Sequence, residues 1–297
     1  MIEIEALPGV LINGCLVGGV LALIALALNI QYGVGKVFNI AHGEFIMLGA
    51  FITYTVYVGY GAIAGGIDPL ASMAISGPLL FIVGFVLYRT LFTSLRTRAP
   101  SPAAFEGNSL LAAFGLIFVI QNVAILIWTG RTRAYIWEYD FAVPFAGTVF
   151  RFSQIIAFAL AIVIGVAFYI FVNRTRLGKA IRAAAQDPGT AGLMGININL
   201  VLALCFGFGA LLAGIAGSLL SMYTSISEVM GLGYAIGAII VMVLGGLGSI
   251  PGSFIGGFII GIIGSIVTYV EPALVVPAYY ALFLILLLVR PQGLLGK

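Results

Sequence analysis

The sequence predicts an all-α, polytopic transmembrane helical bundle of eight or nine spans, and three observations favour this fold class. Of the 297 residues, 62% are apolar and 8% are charged, whereas a soluble domain carries about 25% charged residues. The apolar residues form runs of roughly 17 to 25, the length that crosses the hydrocarbon core of a bilayer. Glycines recur at four-residue spacing in these runs, as in helices packed together in lipid. The chain is interpreted as one transmembrane domain over 1–297.

The spans follow from the apolar runs in chain order. Eight runs are long enough to cross, and they cover about residues 10–30, 41–60, 69–89, 109–129, 153–173, 200–222, 253–270 and 274–290. A ninth, shorter run at 233–248 is bounded by glycines. It either crosses the membrane as a short span or re-enters from one side.

The long polar interruption in the apolar second half is 174–199, which we call the basic loop. It carries one acid, Asp187, and four cations within nine positions, Arg174, Arg176, Lys179 and Arg182. Lysines and arginines that flank spans are retained on the cytoplasmic side of a membrane. The basic loop is therefore predicted to be cytoplasmic.

Alternating the spans outward from the basic loop gives a predicted orientation. Ten of the thirteen lysines and arginines then lie inside: the four in the loop, Lys36, Arg89, Arg96, Arg98, Arg290 and Lys297. The remaining three cations and seven acids lie outside: Arg131, Arg133, Arg151, Glu3, Glu5, Asp68, Glu138, Asp140, Glu228 and Glu271. The N-terminus is then outside and the C-terminus cytoplasmic, which requires an odd number of crossings; nine satisfies it.

Aromatic residues mark the predicted outer end of the fourth span. Trp128, Tyr135, Trp137 and Tyr139 cluster there, and amphipathic rings prefer the headgroup level of a bilayer. The segment 130–152 is long enough to form a small outer cap.

Several other classes of function find no support in the sequence. The net charge of +3 is small and indicates no nucleic-acid partner, and the phosphate-binding motif G-x-x-x-x-G-K-[ST] is absent. Cys15 and Cys205 lie in apolar runs and suggest neither a disulfide framework nor a metal site. The start has two acids and no basic region, so we expect no secretory signal. No cofactor and no catalytic residue is predicted.

Polar residues at the start of the second span are candidates for a solute pathway. Asn39, His42 and Glu44 lie in FNIAHGEF at 38–45, and ionisable groups in a span usually face the bundle interior or a watery cavity. On a helix Glu44 points away from the other two, so the three do not form one stripe. The alternative is structural: Asn39 caps the helix, and His42 and Glu44 hydrogen-bond to neighbouring spans near the inner surface.

Two further places leave similar alternatives open. Gln121 and Asn122 form a polar pair in an apolar helix, where they either hydrogen-bond between helices or contact solute. Gly245, Gly246 and Gly248, with Pro251 and Gly252, either serve helix packing or break the backbone at membrane depth. Transporters build substrate sites at such breaks. Packing grooves are also predicted from two sets of four-residue pairs: Gly252 with Gly256 and Gly257 with Gly261, and Ala210 with Gly214 and Ala213 with Gly217.

Five blocks resemble the permeases of high-affinity branched-chain amino acid ABC importers. They are FNIAHGEFIMLGAF at 38–51, GLIFVIQN at 115–122, RLGKAIRAAAQDPGTAGLMGIN at 176–197, VLGGLGSIPGSFIGG at 243–257 and RPQGLLG at 290–296. The blocks run in the family's order over nearly the whole chain. The match is closer to the first permease subunit of these importers than to the second.

The resemblance implies a multi-pass subunit of a bacterial or archaeal inner membrane that works with partners. These are a second, related permease, two cytoplasmic ATP-binding cassette ATPases and a periplasmic or extracellular binding protein. It also implies a coupling helix in the basic loop that docks on the ATPase. By position the docking residues are Arg182, Ala183, Ala184, Ala185, Asp187, Gly189 and Gly195. A solvated loop that only sets topology is the alternative.

One position departs from the family. Before VLGGLGSIPG the family often has a Lys in the pattern G-[FY]-A-x-K-A, and Gly237 occupies that position here. The departure leaves the substrate open, because importers of urea or short-chain amides use similar permeases. An ion-coupled secondary carrier is a further alternative, although it would favour acids near the midplane, and Glu44 is expected near the inner end of its span.

Overall fold

The computed structural model describes residues 7–37, 39–61, 63–145, 148–290 and 292–295. Within these ranges the chain forms twelve α-helices and one antiparallel hairpin. The helices are α1 Leu7–Gly35, α2 His42–Val58, α3 Pro69–Leu87, α4 Thr93–Arg98, α5 Pro102–Trp128, α6 Phe152–Arg174, α7 Arg176–Gln186, α8 Pro188–Leu193, α9 Ile198–Ser221, α10 Met230–Gly245, α11 Ile250–Val270 and α12 Val275–Val289. The hairpin pairs β1 Ala142–Phe145 with β2 Thr148–Arg151, and a π-helical turn, Tyr88–Phe92, joins α3 to α4. The predicted positions of Glu3, Glu5 and Lys297 fall outside the described residues, as do Phe38, Pro291 and Gly296 of the quoted blocks.

The predicted all-α transmembrane fold is confirmed. Seven helical segments of the described chain are long and apolar enough to cross a membrane: Leu7–Gly35, Pro69–Arg98, Pro102–Trp128, Phe152–Arg174, Ile198–Ser221, Ile250–Val270 and Pro272–Val289. Each covers one predicted span. The two other predicted runs, 41–60 and 233–248, form the shorter helices α2 and α10, of 17 and 16 residues.

Polar caps fix where the long helices begin. Ser101 Oγ accepts from the Ala104 amide at the start of α5, and Ser249 Oγ accepts from the Gly252 amide at the start of α11. The first amides of a helix have no partner within it, so each cap removes an unsatisfied donor. Helices α3, α5 and α11 also carry proline in the first turn, where its missing N–H costs nothing.

The core is built on α1 and α9, which lie antiparallel at the centre. Gly35 of α1 lies beside Leu202, and Gln31 lies beside Gly209. Each central helix packs closely on one helix from the other half of the chain, α1 on α11 and α9 on α3. Because α1 and α9 run in opposite directions, α1–α3 and α9–α11 form two similar and inverted arrangements, as in many transporters.

The predicted glycine grooves are confirmed as helix contacts. A Cβ added at Gly257 would lie 2.6 Å from the Ala22 Cα, and one added at Gly261 would lie 2.4 Å from the Gly18 Cα. On the other side of the bundle, an added Cβ at Gly217 would lie 1.9 Å from the Ile46 carbonyl oxygen. These helices can approach so closely only because the side chain is absent.

Helices α2 and α10 begin inside the bundle rather than at its surface. The His42 ring lies against the Ile24 carbonyl, near the middle of α1. Gly43 lies against Gly231, the second residue of α10. Residues 36–37, 39–41 and 222–229 lead into these two helices. The seven long segments and the two shorter helices together account for the nine apolar runs of the sequence.

The expected position of Glu44 near the inner end of its span is therefore wrong. The sequence-based span starts at residue 41 on the assumption that an apolar run begins at the membrane surface. The described residues 36–37 and 39–41 are instead non-helical and lead into the bundle before α2 begins. The suggested Asn39 cap is also wrong, because the residue before α2 is Ala41 and no side chain caps this helix.

The two ends of the bundle differ in structure. One end, the loop face, carries α7 and α8, the end of α1 and the turn between α10 and α11. The opposite end, the cap face, carries the β-hairpin and the segment 130–141. There Trp137 Nε1 donates to Asp68 at 2.9 Å, and the Arg133 and Ile226 backbones form an antiparallel bridge. The described residues 130–145 and 148–152 thus form a folded cap.

Two of the aromatic residues predicted to lie at the headgroup level are buried in the protein instead. Trp128 is buried, stacks on Phe51 and donates to Thr55 Oγ1 at 2.8 Å. Trp137 is also buried. Tyr139 is exposed and is free to meet a headgroup region. The Trp residues hold α5 and the cap to α2 and α3, because an indole N–H in a buried place needs an acceptor.

Candidate functional site

The first turns of α2 and α10 meet at what we call the helix junction. A Cβ added at Gly43 would lie 1.9 Å from the Gly231 carbonyl oxygen and 2.9 Å from the Ala235 Cβ. The two backbones are therefore in direct contact, and only glycine fits. Helix N-termini carry partial positive charge from unpaired amides. The junction brings two such termini together inside a membrane-spanning bundle.

Glu44 is the acidic group of the helix junction. It is 1% exposed, and it is the only buried Asp or Glu among the described residues. Gln121 Nε2 of α5 donates to Glu44 Oε1 at 3.1 Å, while Oε2 has no hydrogen-bond partner in the described chain. A Cβ added at Gly231 would lie 3.0 Å from Oε1, so the carboxyl group lies against the first turn of α10.

Asn39 and His42 lie on the other side of α2, towards α1. Asn39 Nδ2 donates to Gln31 Oε1 at 3.3 Å, and Gln31 Nε2 donates to the Phe206 carbonyl at 3.2 Å. The His42 ring is fully buried, and neither ring nitrogen has a hydrogen bond of good geometry among the described residues. Asn39 and His42 therefore both face α1, at Gln31 and Ile24, whereas Glu44 faces α5 and α10, as helical geometry predicts for the two α2 residues.

The polar pair on α5 is divided. Gln121 reaches Glu44, whereas Asn122 is exposed and donates to the Phe118 carbonyl of its own helix at 2.8 Å. The structure assigns Asn122 no contact with the helix junction. Gln31, which sequence reasoning missed, links Asn39 to the Phe206 carbonyl; its polar amide directly after the first apolar run was the available signal.

The glycine break lies between α10 and α11 at the loop face. Gly246 and Gly248 have φ angles of 104° and 84°, a left-handed backbone that favours glycine. Asn29 of α1, also missed from sequence, accepts from the Gly248 amide at 2.6 Å and donates to the Ser249 carbonyl and to Ser253 Oγ, each at 2.9 Å. The break is real, but it lies near the end of α1 instead of deep in the bundle.

A cavity of about 480 Å³ lies between α1, α10 and α12. Its walls are mainly aliphatic, with hydroxyl groups near the start of α10: Val17, Leu21, Ile236, Ile240, Ser227 and Tyr234 line it. Gly237 also lines it, and the nearest atom to an added Cβ there is the Leu21 Cδ2, at 3.9 Å. The space beside position 237 is thus open in this protein.

In the basic loop, α7 is attached to the bundle. Ile181 and Ala184 are buried in the core, and a Cβ added at Gly178 would lie 2.1 Å from the Val172 carbonyl oxygen. Arg182 is exposed and donates to Asn173 at the end of α6. Ala183 and Ala185 are half-buried. The buried face of α7 contacts its own chain, so Ala184 is not available to another protein.

The tip of the loop is α8 and the turn after it, residues 187–195, which we call the loop tip. Asp187 caps α8 by accepting from the Gly189 amide at 2.9 Å and from the Thr190 hydroxyl. These donors, the Thr190 hydroxyl first, hold the pKa of the Asp187 carboxyl below its usual range. Gly195 has a φ of 84° and ends the turn, and Gly189 is exposed.

Two large apolar side chains project from the loop tip. Leu193 is 89% exposed and Met194 is 81% exposed. Sequence reasoning missed both, since it favoured charged and small residues; the signal was an apolar pair within an otherwise polar segment. Exposed apolar groups side by side are typical of a contact surface for another protein.

The broken helices that meet within the bundle and the structured loop on one face define a multi-pass membrane permease. Comparison with known proteins gives the family. Residues 10–290 match the model for the permease component of branched-chain amino acid transport systems, and the chain belongs to this family.

Three relatives extend along most of the chain. BraD of Pseudomonas aeruginosa, a high-affinity branched-chain amino acid transport system permease protein, is 33% identical, with 97% of this chain and 95% of BraD covered. LivH of Escherichia coli, described in the same words, is 30% identical, with 96% and 94% covered. A probable branched-chain amino acid transport permease protein LivH of Methanocaldococcus jannaschii is 28% identical, with 84% and 77% covered.

Proposed function

We propose that this chain is a pathway-forming permease subunit of an ATP-driven, binding-protein-dependent importer of branched-chain amino acids. The family and its relatives support the transport role and the substrate class. The exposed apolar loop tip is the observation that supports a separate ATP-hydrolysing partner, because a carrier that works alone does not need such a contact surface. The partners are a second related permease, two ATPases and a substrate-binding protein.

The loop face is proposed to be cytoplasmic. The basic loop, Lys36 at the end of α1 and Arg96 and Arg98 of α4 lie at this end of the bundle, where the acids are Glu106 and Asp187. Three further acids, Asp68, Glu138 and Asp140, belong to the cap face. Retention of basic residues on the cytoplasmic side supports this orientation. The cap face then receives the loaded binding protein at 130–152 and 223–232.

The loop tip is proposed to dock on an ATPase. Leu193 and Met194 would fill an apolar groove, as buried side chains at the centre of an interface do. Asp187 and Gly189 shape the tip, and Arg182 links α7 to α6. Because α7 packs on the core through Ile181 and Ala184, a displacement of the tip by ATPase closure would reach the spans. Ala183 and Ala185, half-buried on α7, and Gly195, which ends the turn, are proposed to hold the loop tip in its position for docking.

The solute pathway is proposed to pass the helix junction. Asn39, His42, Glu44 and Gln121 supply polar groups inside the bundle, and the aliphatic cavity beside α10 offers walls that suit a branched side chain. The turn at Gly245, Gly246 and Gly248 lies at the cytoplasmic end of the same crossing. Exposed apolar faces of α5 and α12 contact lipid and the second permease.

A reconstituted complex tests the proposal. Leu193→Asp with Met194→Asp is expected to abolish co-purification of the ATPases and ATP-dependent leucine uptake in vesicles. Ile136→Asp is the matched control, because this side chain is 84% exposed and lies in the cap. It is expected to retain the ATPases. Retention of the ATPases by the double variant would contradict the proposed docking surface.

The same vesicles separate the alternatives. Leucine uptake without ATP that follows an ion gradient would identify a secondary carrier. A cognate binding protein that retains urea or a short amide, and no aliphatic amino acid, would identify a related importer of those solutes.

A further inference from the structure

We infer that the Glu44 carboxylate is the counter-ion for the ammonium group of the transported amino acid. This inference rests on the proposed function and names the group that recognises its substrate. Glu44 has three properties on which it depends: deep burial, one unpartnered oxygen, and a position inside the membrane-spanning bundle.

Burial makes an unpaired carboxylate costly. Glu44 is 1% exposed, and no Lys or Arg is buried with it in the described chain. Removing a charge from water costs free energy even after the protein relaxes around the buried ion. Acids within spans accordingly pair with cations or mark solute pathways. Glu44 has no resident cation, so a passing one is the missing partner.

The neighbours of Glu44 leave one oxygen of its carboxyl group without a hydrogen bond. Gln121 occupies Oε1 and leaves Oε2 without a partner. The first turn of α10 lies against the same group, on the side of Oε1. An arriving ammonium group can then bind Oε2 without displacing Gln121.

The helix junction also suits the other end of an amino acid. Half-helix N-termini inside a membrane bind anionic substrate groups. Gly233 is exposed in the first turn of α10, and an added Cβ there would meet no atom of the described chain within 4 Å. We place the carboxylate of the solute at this exposed turn and its ammonium group at Glu44. Urea and simple amides carry no ammonium group and would gain nothing from this acid.

The test compares two variants in vesicles that contain this chain, the second permease, the ATPases and the binding protein. Glu44→Gln keeps a hydrogen bond to Gln121 and removes only the charge. It is expected to lower the rate of leucine uptake at least about tenfold, which corresponds to about 1.4 kcal/mol. ATP hydrolysis stimulated by the binding protein is expected to remain. Glu271→Gln, in the exposed turn before α12, removes the same charge elsewhere and is expected to transport normally.

The exchange variant Glu44→Gln with Gln121→Glu provides the rescue. It moves the carboxylate to the other member of the 3.1 Å pair and keeps both groups, so it is expected to assemble even where the single variant does not. Leucine uptake above that of Glu44→Gln supports the counter-ion. An assembled exchange variant with no recovery overturns it.

Two further results would overturn the inference while the proposed function stands. One is wild-type leucine uptake in the assembled Glu44→Gln complex, which would assign Glu44 a structural hydrogen bond. The other is ATP-dependent wild-type uptake that a protonophore abolishes, which would assign Glu44 to proton transfer. Absence of ATP-dependent leucine uptake in the wild-type complex would instead overturn the proposed function itself.

Discussion

The helix junction and the loop tip place side chains in opposite and unfavourable environments. At the junction a carboxylate is 1% exposed with an unpartnered oxygen, whereas at the tip an apolar Leu193 is 89% exposed. Each arrangement costs free energy in the isolated chain. The difference suggests two kinds of missing partner: a charged solute at the junction and a protein surface at the tip.

The strongest test of this comparison tightens the junction. Gly43→Ala would place a methyl group 1.9 Å from the Gly231 carbonyl oxygen, so a backbone must move. Overpacking of this kind costs about 1–3 kcal/mol, and more where backbone cannot yield. We expect a lower melting temperature of the detergent-purified chain and loss of leucine uptake.

Gly115→Ala in α5 is the control for this substitution. No atom lies within 4 Å of its added Cβ, and alanine favours a helix over glycine by about 1 kcal/mol. It is expected to leave the melting temperature unchanged or raise it. Equal melting temperatures for the two variants would mean that the helix junction is not a tight contact.

The fold was largely predictable because long apolar runs have few solutions in lipid. The spans of α3, α5, α6, α9 and α11 follow from length and hydropathy alone, and the glycine grooves follow from spacing. The starts of α2 and α10, at His42 and Met230, lie close to the predicted residues 41 and 233, but their depth in the bundle was not predictable. Apolar composition does not show how far into the bundle a helix begins, and only the tertiary contacts of His42 and Gly43 show it.

The sites were predictable in part. Polar residues within spans pointed to Glu44 and Gln121, but which of them meet depends on the packing of α2 against α5. Asn122 follows Gln121 in sequence and faces away, because neighbouring residues of a helix differ by about 100°. At the loop tip, the exposure of Leu193 and Met194 depends on which face of α7 the core covers.

A second prediction concerns the turn at the loop face. Asn29→Ala removes the partner of the Gly248 amide and of two further groups. Each buried polar group left unsatisfied costs about 1–3 kcal/mol, so a clear fall in melting temperature is expected. Asn122→Ala is the control, since its amide bonds only within an exposed helix face. An equal fall in melting temperature in both variants would show that the hydrogen bonds of Asn29 do not stabilise the turn.

A third prediction sharpens the role of the aliphatic cavity. Gly237→Leu fills space that is open in this protein, and it is expected to lower leucine uptake by about tenfold, equivalent to about 1.4 kcal/mol. Gly237→Ala meets only the Leu21 side chain at 3.9 Å and is expected to transport nearly normally. The ATPases are expected to co-purify with both. Full uptake by the leucine variant would show that solute does not pass through this cavity.

The smallest expected effect is at the loop tip and concerns pH. The Thr190 hydroxyl and the amides of Gly189 and Thr190 hold the pKa of Asp187 below its usual range. A depressed pKa means that the cap is fully formed above the unfolded value, about 4, and is lost only as the pH falls through the lower folded value. Between pH 5 and pH 8 the rate of stimulated ATP hydrolysis should therefore show no pH dependence caused by titration of Asp187.

Asp187→Asn keeps an acceptor oxygen and is expected to give the wild-type pH profile, whereas Asp187→Ala lowers the stimulated rate at every pH in this range. A wild-type decline below pH 6 that Asp187→Asn lacks would mean that this carboxylate titrates during coupling and does more than cap α8.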